Sequence, residues 1–140
     1  MKLIVDSKFD SAHRLSNYVG KCAKIHGHTY HLRVELSGEE LNEWGALIDF
    51  GDVKKILKEK IDAIYDHKLI LMEGDELNEK IAKVLPKDHI LWFKENTTAE
   101  NISRKIMQDL SNILPKDIIV TSVTVWETEG CGAKTTDDNY

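Results

Sequence analysis

The sequence predicts an α+β protein in which a four-stranded antiparallel sheet carries two helices on one face, all within one domain spanning residues 1–140. Three observations predict it. Alternating apolar and polar residues mark strands towards both ends of the chain, helical periodicity marks the middle, and no repeat or low-complexity linker divides the two. Strands grouped at the ends favour an antiparallel sheet over alternating strand–helix units. A hydrophobic content of 41% in 140 residues suffices for one core and is too little for two.

The first strand is expected from Lys2 to Ser11, with Leu3, Val5 and Phe9 on one side and His13 near its end. A loop rich in turn residues, Ser16 to Ile25, holds Cys22. From His28 the run Tyr30, Leu32, Val34, Leu36 alternates with Thr29, His31, Arg33, Glu35, a half-buried strand with His28 on the apolar parity. Asp49 or Asp52 can cap a helix whose apolar stripe is Val53, Ile56, Leu57, Ile61 and Ile64. Between Met72 and Phe93 the pattern is weaker, with a short helix around Leu77 to Leu85 and the apolar run from His89 to Phe93. Thr97-Thr98-Ala99-Glu100 is a capping-box pattern opening a helix through Ile102, Ile106, Leu110 and Ile113, and Pro115 ends it. Ile118 to Trp126 is β-branched and reads as a strand whose apolar parity, Val123 and Val125, runs into Glu127. One more strand and a mobile end are expected between Gly130 and Tyr140.

Composition narrows the function classes. The formal charge is −5 and no polybasic stripe occurs, which argues against a nucleic-acid partner but leaves room for a small phosphorylated substrate. No stretch approaches the ~20 apolar residues of a membrane span, and Asp6 comes too early for a signal peptide, so a cytoplasmic protein without a membrane partner is expected. In that compartment Cys22 and Cys131 are expected as free thiols, or in a metal or catalytic role, and not as a bridge.

The chemistry concentrates in histidines. His26-Gly27-His28 sets two imidazoles on one side of an extended segment, about 7 Å apart along the chain, and His13 on the neighbouring strand is the best third ligand. Three neutral nitrogens with an open fourth position suit catalytic Zn²⁺. His31 has the opposite parity and His89 falls in the weak stretch, so both are read as structural or surface residues. Cys22, four residues before His26, is either a general base beside the ion or a fourth ligand closing a structural site. Asp66-His67 is either a proton relay or a helix-end pair, and Glu127 either a buried anchor for a guanidine-like ligand edge or a strand-end charge. Arg14, Lys21, Lys24 and Lys68 are the candidate phosphate contacts, each weighed against a solvated surface charge.

Together, Phe9 to Leu15, Cys22 to His28, Ile48-Asp49-Phe50, Asp66-His67, Thr97 to Asn101 and Glu127 resemble the 6-pyruvoyltetrahydropterin and 6-carboxytetrahydropterin synthase family, in order and over nearly the whole chain. The resemblance implies the tunnelling fold, assembled as a hexamer of two trimers with active sites between subunits. It implies zinc on His13, His26 and His28, Cys22 as base, an Asp66-His67 relay, and Thr98 with Glu127 holding the pterin. Three residues between Cys22 and His26 resemble the 6-carboxytetrahydropterin branch, implying cleavage of 7,8-dihydroneopterin triphosphate on the way to queuosine and other deazapurines. The alternatives are a pyruvoyl-forming or related pterin lyase, and a non-catalytic zinc-containing pterin or purine binder. Two departures stand out: Lys68-Leu69-Ile70-Leu71 follows the dyad where the family often reads Leu-Asn, and Thr97 stands where a proline often precedes the pterin-loop threonine. The stretch from Met72 to Phe93 is read as an insertion.

Overall fold

The computed structural model describes residues 1–138. Six strands form one sheet in the order β4-β3-β1-β2-β5-β6, where β1 is Leu3–His13, β2 His26–Ser37, β3 Lys68–Met72, β4 Ile90–Phe93, β5 Ile119–Thr128 and β6 Cys131–Thr136. The first two strands pair antiparallel along their full length, from Leu3 opposite Leu36 to His13 opposite His26. β5 and β6 continue the antiparallel half. On the other side β1 pairs parallel with β3, and β3 parallel with β4.

The helices begin where side-chain caps allow them to. Asp49 accepts from the Gly51 amide at 2.6 Å and opens α1 (Phe50–Ile56), which runs on through a π-helical segment, Leu57–Asp62, into α2 (Ala63–Tyr65). Val53, Leu57, Ile61 and Tyr65 recur every four residues and are all buried. Asp75 caps α3 (Glu76–Ala82), and Thr98 caps α4 (Ala99–Ile113). Ile102, Ile106 and Leu110 of α4 are fully buried against Tyr30, Leu32, Val34 and Leu36 of β2 and Val123 and Val125 of β5, in one hydrophobic cluster. Burial at ~25 cal/mol per Å² makes that cluster the main stabilising term.

All four expected strands are present and mutually adjacent. The expectation of a four-stranded antiparallel sheet is nonetheless corrected, since β3 and β4 extend it into a mixed sheet of six, and α3 adds a third helix. The physical reason is local. Leu69-Ile70-Leu71 and Ile90-Leu91-Trp92-Phe93 are short apolar runs without alternation, as parallel strands are, and periodicity cannot separate such runs from buried loops. The segment between Met72 and Phe93 is thus the crossover a parallel pair requires, with α3 inside it. The expected end beyond β6 falls partly on Asn139 and Tyr140, outside the described residues.

Candidate metal centre and adjoining clefts

The register of β1 on β2 assembles the histidines. His13 lies directly opposite His26, Ser11 lies opposite His28, and all three imidazoles share the inward parity. Their ligand nitrogens lie within 4.8 Å of one another. His13 and His26 each set Nδ1 against a backbone carbonyl, Thr97 O at 2.7 Å and Lys24 O at 2.7 Å. A carbonyl only accepts, so each Nδ1 carries the proton and each Nε2 presents a lone pair. Those two Nε2 atoms stand 3.1 Å apart, and His28 Nε2 is buried without a hydrogen-bond partner. Lone pairs so placed repel unless a cation lies between them. Protonation is opposed: burial, joined by the neighbouring His26 and His28 and only partly offset by the bond to Thr97, pushes His13 down to about 4. Burial, then His26, likewise lowers His28. A tetrahedral ion with bonds of ~2.0–2.1 Å holds its nitrogens about 3.3 Å apart, so this donor set fits a divalent metal.

Glu127 stands at the edge of this cluster, with Oε1 3.9 Å from His13 Nε2. Burial raises its pKa, with Glu100 adding to that and His26 opposing it. Glu127 and Thr98 line one cleft of about 420 Å³ together with Leu15, Glu100, Cys131 and Gly132. Gly132 is required there, because a Cβ would meet the Val125 carbonyl at 2.8 Å and the Trp126 ring at 2.5 Å. Two carboxylates and a hydroxyl in a small cleft suit a ligand edge rich in N–H donors.

His67 lines a second, more open cleft of about 600 Å³ with His28, Lys68, Leu85 and His89, and Asp66 bonds it from behind. Asp66 Oδ2 accepts from His67 Nδ1 at 2.7 Å, while its Oδ1 accepts from the Asp10 amide at 2.8 Å. His67 adopts a left-handed backbone, φ 56°, held by its amide donating to the Asp10 carbonyl at 2.6 Å. A non-glycine residue there is strained, and β1 sustains the strain. Asp66 raises the pKa of His67 above its ordinary 6.5. The pKa of Asp66 itself is lowered: burial pushes up, but the Asp10 amide and His67 outweigh it. A dyad with its outer imidazole nitrogen free in a cleft can exchange protons with a ligand.

The structure therefore joins His13, His26, His28 and Glu127 in one cluster, Thr98 to Glu127 in one cleft, and His67 to His28 in another. Cys22 is half-buried with a free thiol on a 3-10 turn, Lys21–Ala23, and lines neither cleft. Arg14 is buried in a polar network and does not offer a surface cation for phosphate. Lys68 donates to the Asp88 carbonyl at 2.5 Å beside the open cleft. His89, read as structural or surface from the sequence, lines that cleft opposite His67. Only the parallel pairing of β3 with β4 brings it there, which no local pattern signals.

A family model described as 6-pyruvoyl tetrahydropterin synthase matches residues 2–138. A 6-carboxy-5,6,7,8-tetrahydropterin synthase of Haemophilus influenzae is 38% identical over 133 residues, covering 91% of this chain and 92% of the relative. One from Rickettsia typhi is 33% identical over 125 residues, covering 88% and 91%. Among solved structures, 6-pyruvoyl tetrahydropterin synthase from Plasmodium vivax superposes with a TM-score of 0.76 at 20% identity, covering 98% of this chain and 97% of that one. The Caenorhabditis elegans 6-pyruvoyl tetrahydropterin synthase gives 0.71 at 24%, covering 99% and 96%. The likeness shows a shared tunnelling fold.

Proposed function

Because the chain belongs to the 6-pyruvoyl tetrahydropterin synthase family, we propose that it is a zinc-dependent 6-carboxy-5,6,7,8-tetrahydropterin synthase. The reaction converts 7,8-dihydroneopterin triphosphate and one water to 6-carboxytetrahydropterin, acetaldehyde and triphosphate, in the cytoplasm, towards queuosine and other deazapurines. The observation that carries the reading is the convergence of His13, His26 and His28 beside a cleft holding Glu127 and Thr98. Relatives named for the carboxy product at 33% and 38% identity support the choice of branch, as does the spacing of Cys22 from His26. The chain as one domain, residues 1–140, is supported by its one hydrophobic cluster, and no helix among the described residues is long and apolar enough to cross a membrane.

In this reading His13, His26 and His28 hold Zn²⁺, which when bound supplies Lewis-acid stabilisation of negative charge on side-chain oxygens of the substrate. Glu127 accepts hydrogen bonds from the amino and ring N–H edge of the pterin, and Thr98 fixes the ring beside it. Cys22 takes a proton from the substrate side chain as general base. His67, oriented by Asp66, protonates the opposite face or assists the carbon–carbon cleavage. The substrate contacts both clefts, so we place the working site where subunits of a hexamer meet, with Cys22 and His67 brought together across an interface. Support comes from the positions of the two residues: His67 lines the open cleft and Cys22 does not.

The test is incubation of the zinc-analysed protein with 7,8-dihydroneopterin triphosphate, with mass identification of the pterin and an acetaldehyde assay. Carboxytetrahydropterin with acetaldehyde is expected. A pyruvoyl product would move the chain to the sister activity, and unchanged substrate would leave a zinc-bearing pterin binder. Cys22→Ala is expected to retain zinc and lose turnover, whereas loss of the metal would make Cys22 a fourth ligand.

A further inference from the structure

Arg14 is 8% exposed, and nothing in the pterin chemistry above uses it. Its charge is met inside the protein. Nε donates to the Ala23 carbonyl at 3.0 Å, and Nη1 donates to Asp75 Oδ1 at 2.9 Å and Asn78 Oδ1 at 2.7 Å. Ala23 closes the turn that carries Cys22, and the Cys22 carbonyl accepts from the Leu15 amide at 2.9 Å. The Cys22 turn is thus tied twice to the residues that follow His13.

The other side of the network is equally fixed. Asp75 Oδ1 also accepts from the Asn78 amide at 2.9 Å, capping α3. Asn78 has no exposed surface, and its Nδ2 donates to the Met72 carbonyl at 2.9 Å and Ser16 Oγ at 3.1 Å. Asn96 clamps the Ser16 backbone from both its amide and its carbonyl, each at 2.8 Å, and Thr97 Oγ1 donates to the Arg14 carbonyl at 3.1 Å. Thr97 is also the residue whose carbonyl orients His13. One guanidinium therefore links the Cys22 turn, the start of α3 and the backbone that sets the first histidine. A planar fork of donors suits this task and a single ammonium does not.

We propose that Arg14 is a positioning residue: with Asp75 and Asn78 it fixes the Cys22 turn relative to the three histidines. The start of α3, a helix whose residues line neither cleft, then belongs to the machinery that aims the thiol. The inference rests on the proposed role of Cys22 as base.

The test uses zinc-loaded full-length protein, with alkylation of Cys22 followed separately from that of Cys131 by peptide mass. Arg14→Lys keeps the charge but cannot span Ala23 and Asn78 together. Asp75→Asn keeps the cap, since asparagine caps as well as aspartate, and removes the charged acceptor. Glu76→Gln, on the exposed surface of α3, is the control and should behave as the parent. Loss of positioning is expected to lower kcat on the order of tenfold or more with KM little changed, because the pterin contacts are untouched. Alkylation of Cys22 by iodoacetamide is expected to accelerate about threefold or more as the turn loosens. An alkylation rate unchanged in both variants overturns the proposal, and so does a faster rate with kcat kept within about twofold of the parent. If Arg14→Lys does not fold, Asp75→Asn decides alone. If the parent turns over no pterin, the functional reading fails by itself, and the alkylation rate still decides whether Arg14 positions the turn.

Discussion

In the proposed centre a single imidazole has two jobs, one nitrogen offered to the metal and one bonded to the backbone, and the structure shows the second. His26 gives Nδ1 to the Lys24 carbonyl at 2.7 Å, so removing the ring removes both a ligand and a tie to the loop. His26→Ala is expected to weaken zinc binding by more than the roughly 10–100-fold that outer partners of ligands carry, read as metal per chain after dialysis against a chelator. The dyad makes a second prediction. The carboxylate beside His67 raises its pKa above 6.5, so the protonated imidazole persists to higher pH than it would alone. The stabilisation this pairing gives is fully present below pH 6.5 and is lost as pH rises through the raised pKa. Asp66→Asn should therefore shift the basic limb of the kcat profile to lower pH, and an unmoved limb would show that His67 is not the titrating acid. The convergence of His13, His26 and His28 was legible in the sequence because strand parity aligned them. His89 was not, because its place beside His67 depends on which strand β4 pairs with, and pairing is a long-range property.

Elements read well where one face is buried and poorly where both are. β2 alternates cleanly, with Tyr30, Leu32, Val34 and Leu36 buried and Thr29, His31 and Arg33 exposed, and the sequence pattern places it to within two residues. β3 and β4 carry no alternation, so the sheet's parallel half was missed. Helix starts were legible where the capping pattern is clear, as at Asp49 and Thr98, each one residue before its helix, whereas the Asp75 cap of α3 was not singled out and that helix was expected around Leu77 to Leu85. Thr98 allows its two roles to be separated by magnitude. Its hydroxyl accepts from the Asn101 amide at 3.4 Å, a long contact, so the cap lies at the weak end of the range. Thr98→Ala should cost only about 0.5 kcal/mol in urea unfolding. If Thr98 also holds the pterin, KM should rise by about tenfold, more than such a small loss of stability explains, and Thr98→Ser should restore it. A rise in KM that merely follows the stability loss would reduce Thr98 to a helix cap.

Among the described residues both edges of the sheet are open, β4 on one side and β6 on the other, and open edges favour pairing with further strands. Val19, Tyr18 and Ile25, around the Cys22 turn, are large hydrophobic side chains left at least half exposed. Those features, with Cys22 outside the open cleft, favour an assembly whose subunits complete one another's sites. Sedimentation equilibrium is expected to return six times the 16.0 kDa chain mass. The sharper prediction comes from mixing two dead variants. Cys22→Ala lacks the proposed base and His67→Ala lacks the proposed acid, so each alone should be inactive. If the two residues meet across an interface, randomly reassembled mixtures at equal ratio place an intact Cys22 opposite an intact His67 in about a quarter of sites, and about a quarter of parental kcat should return. If they meet within one chain, every site in the mixture lacks one of them, and no mixing ratio restores turnover.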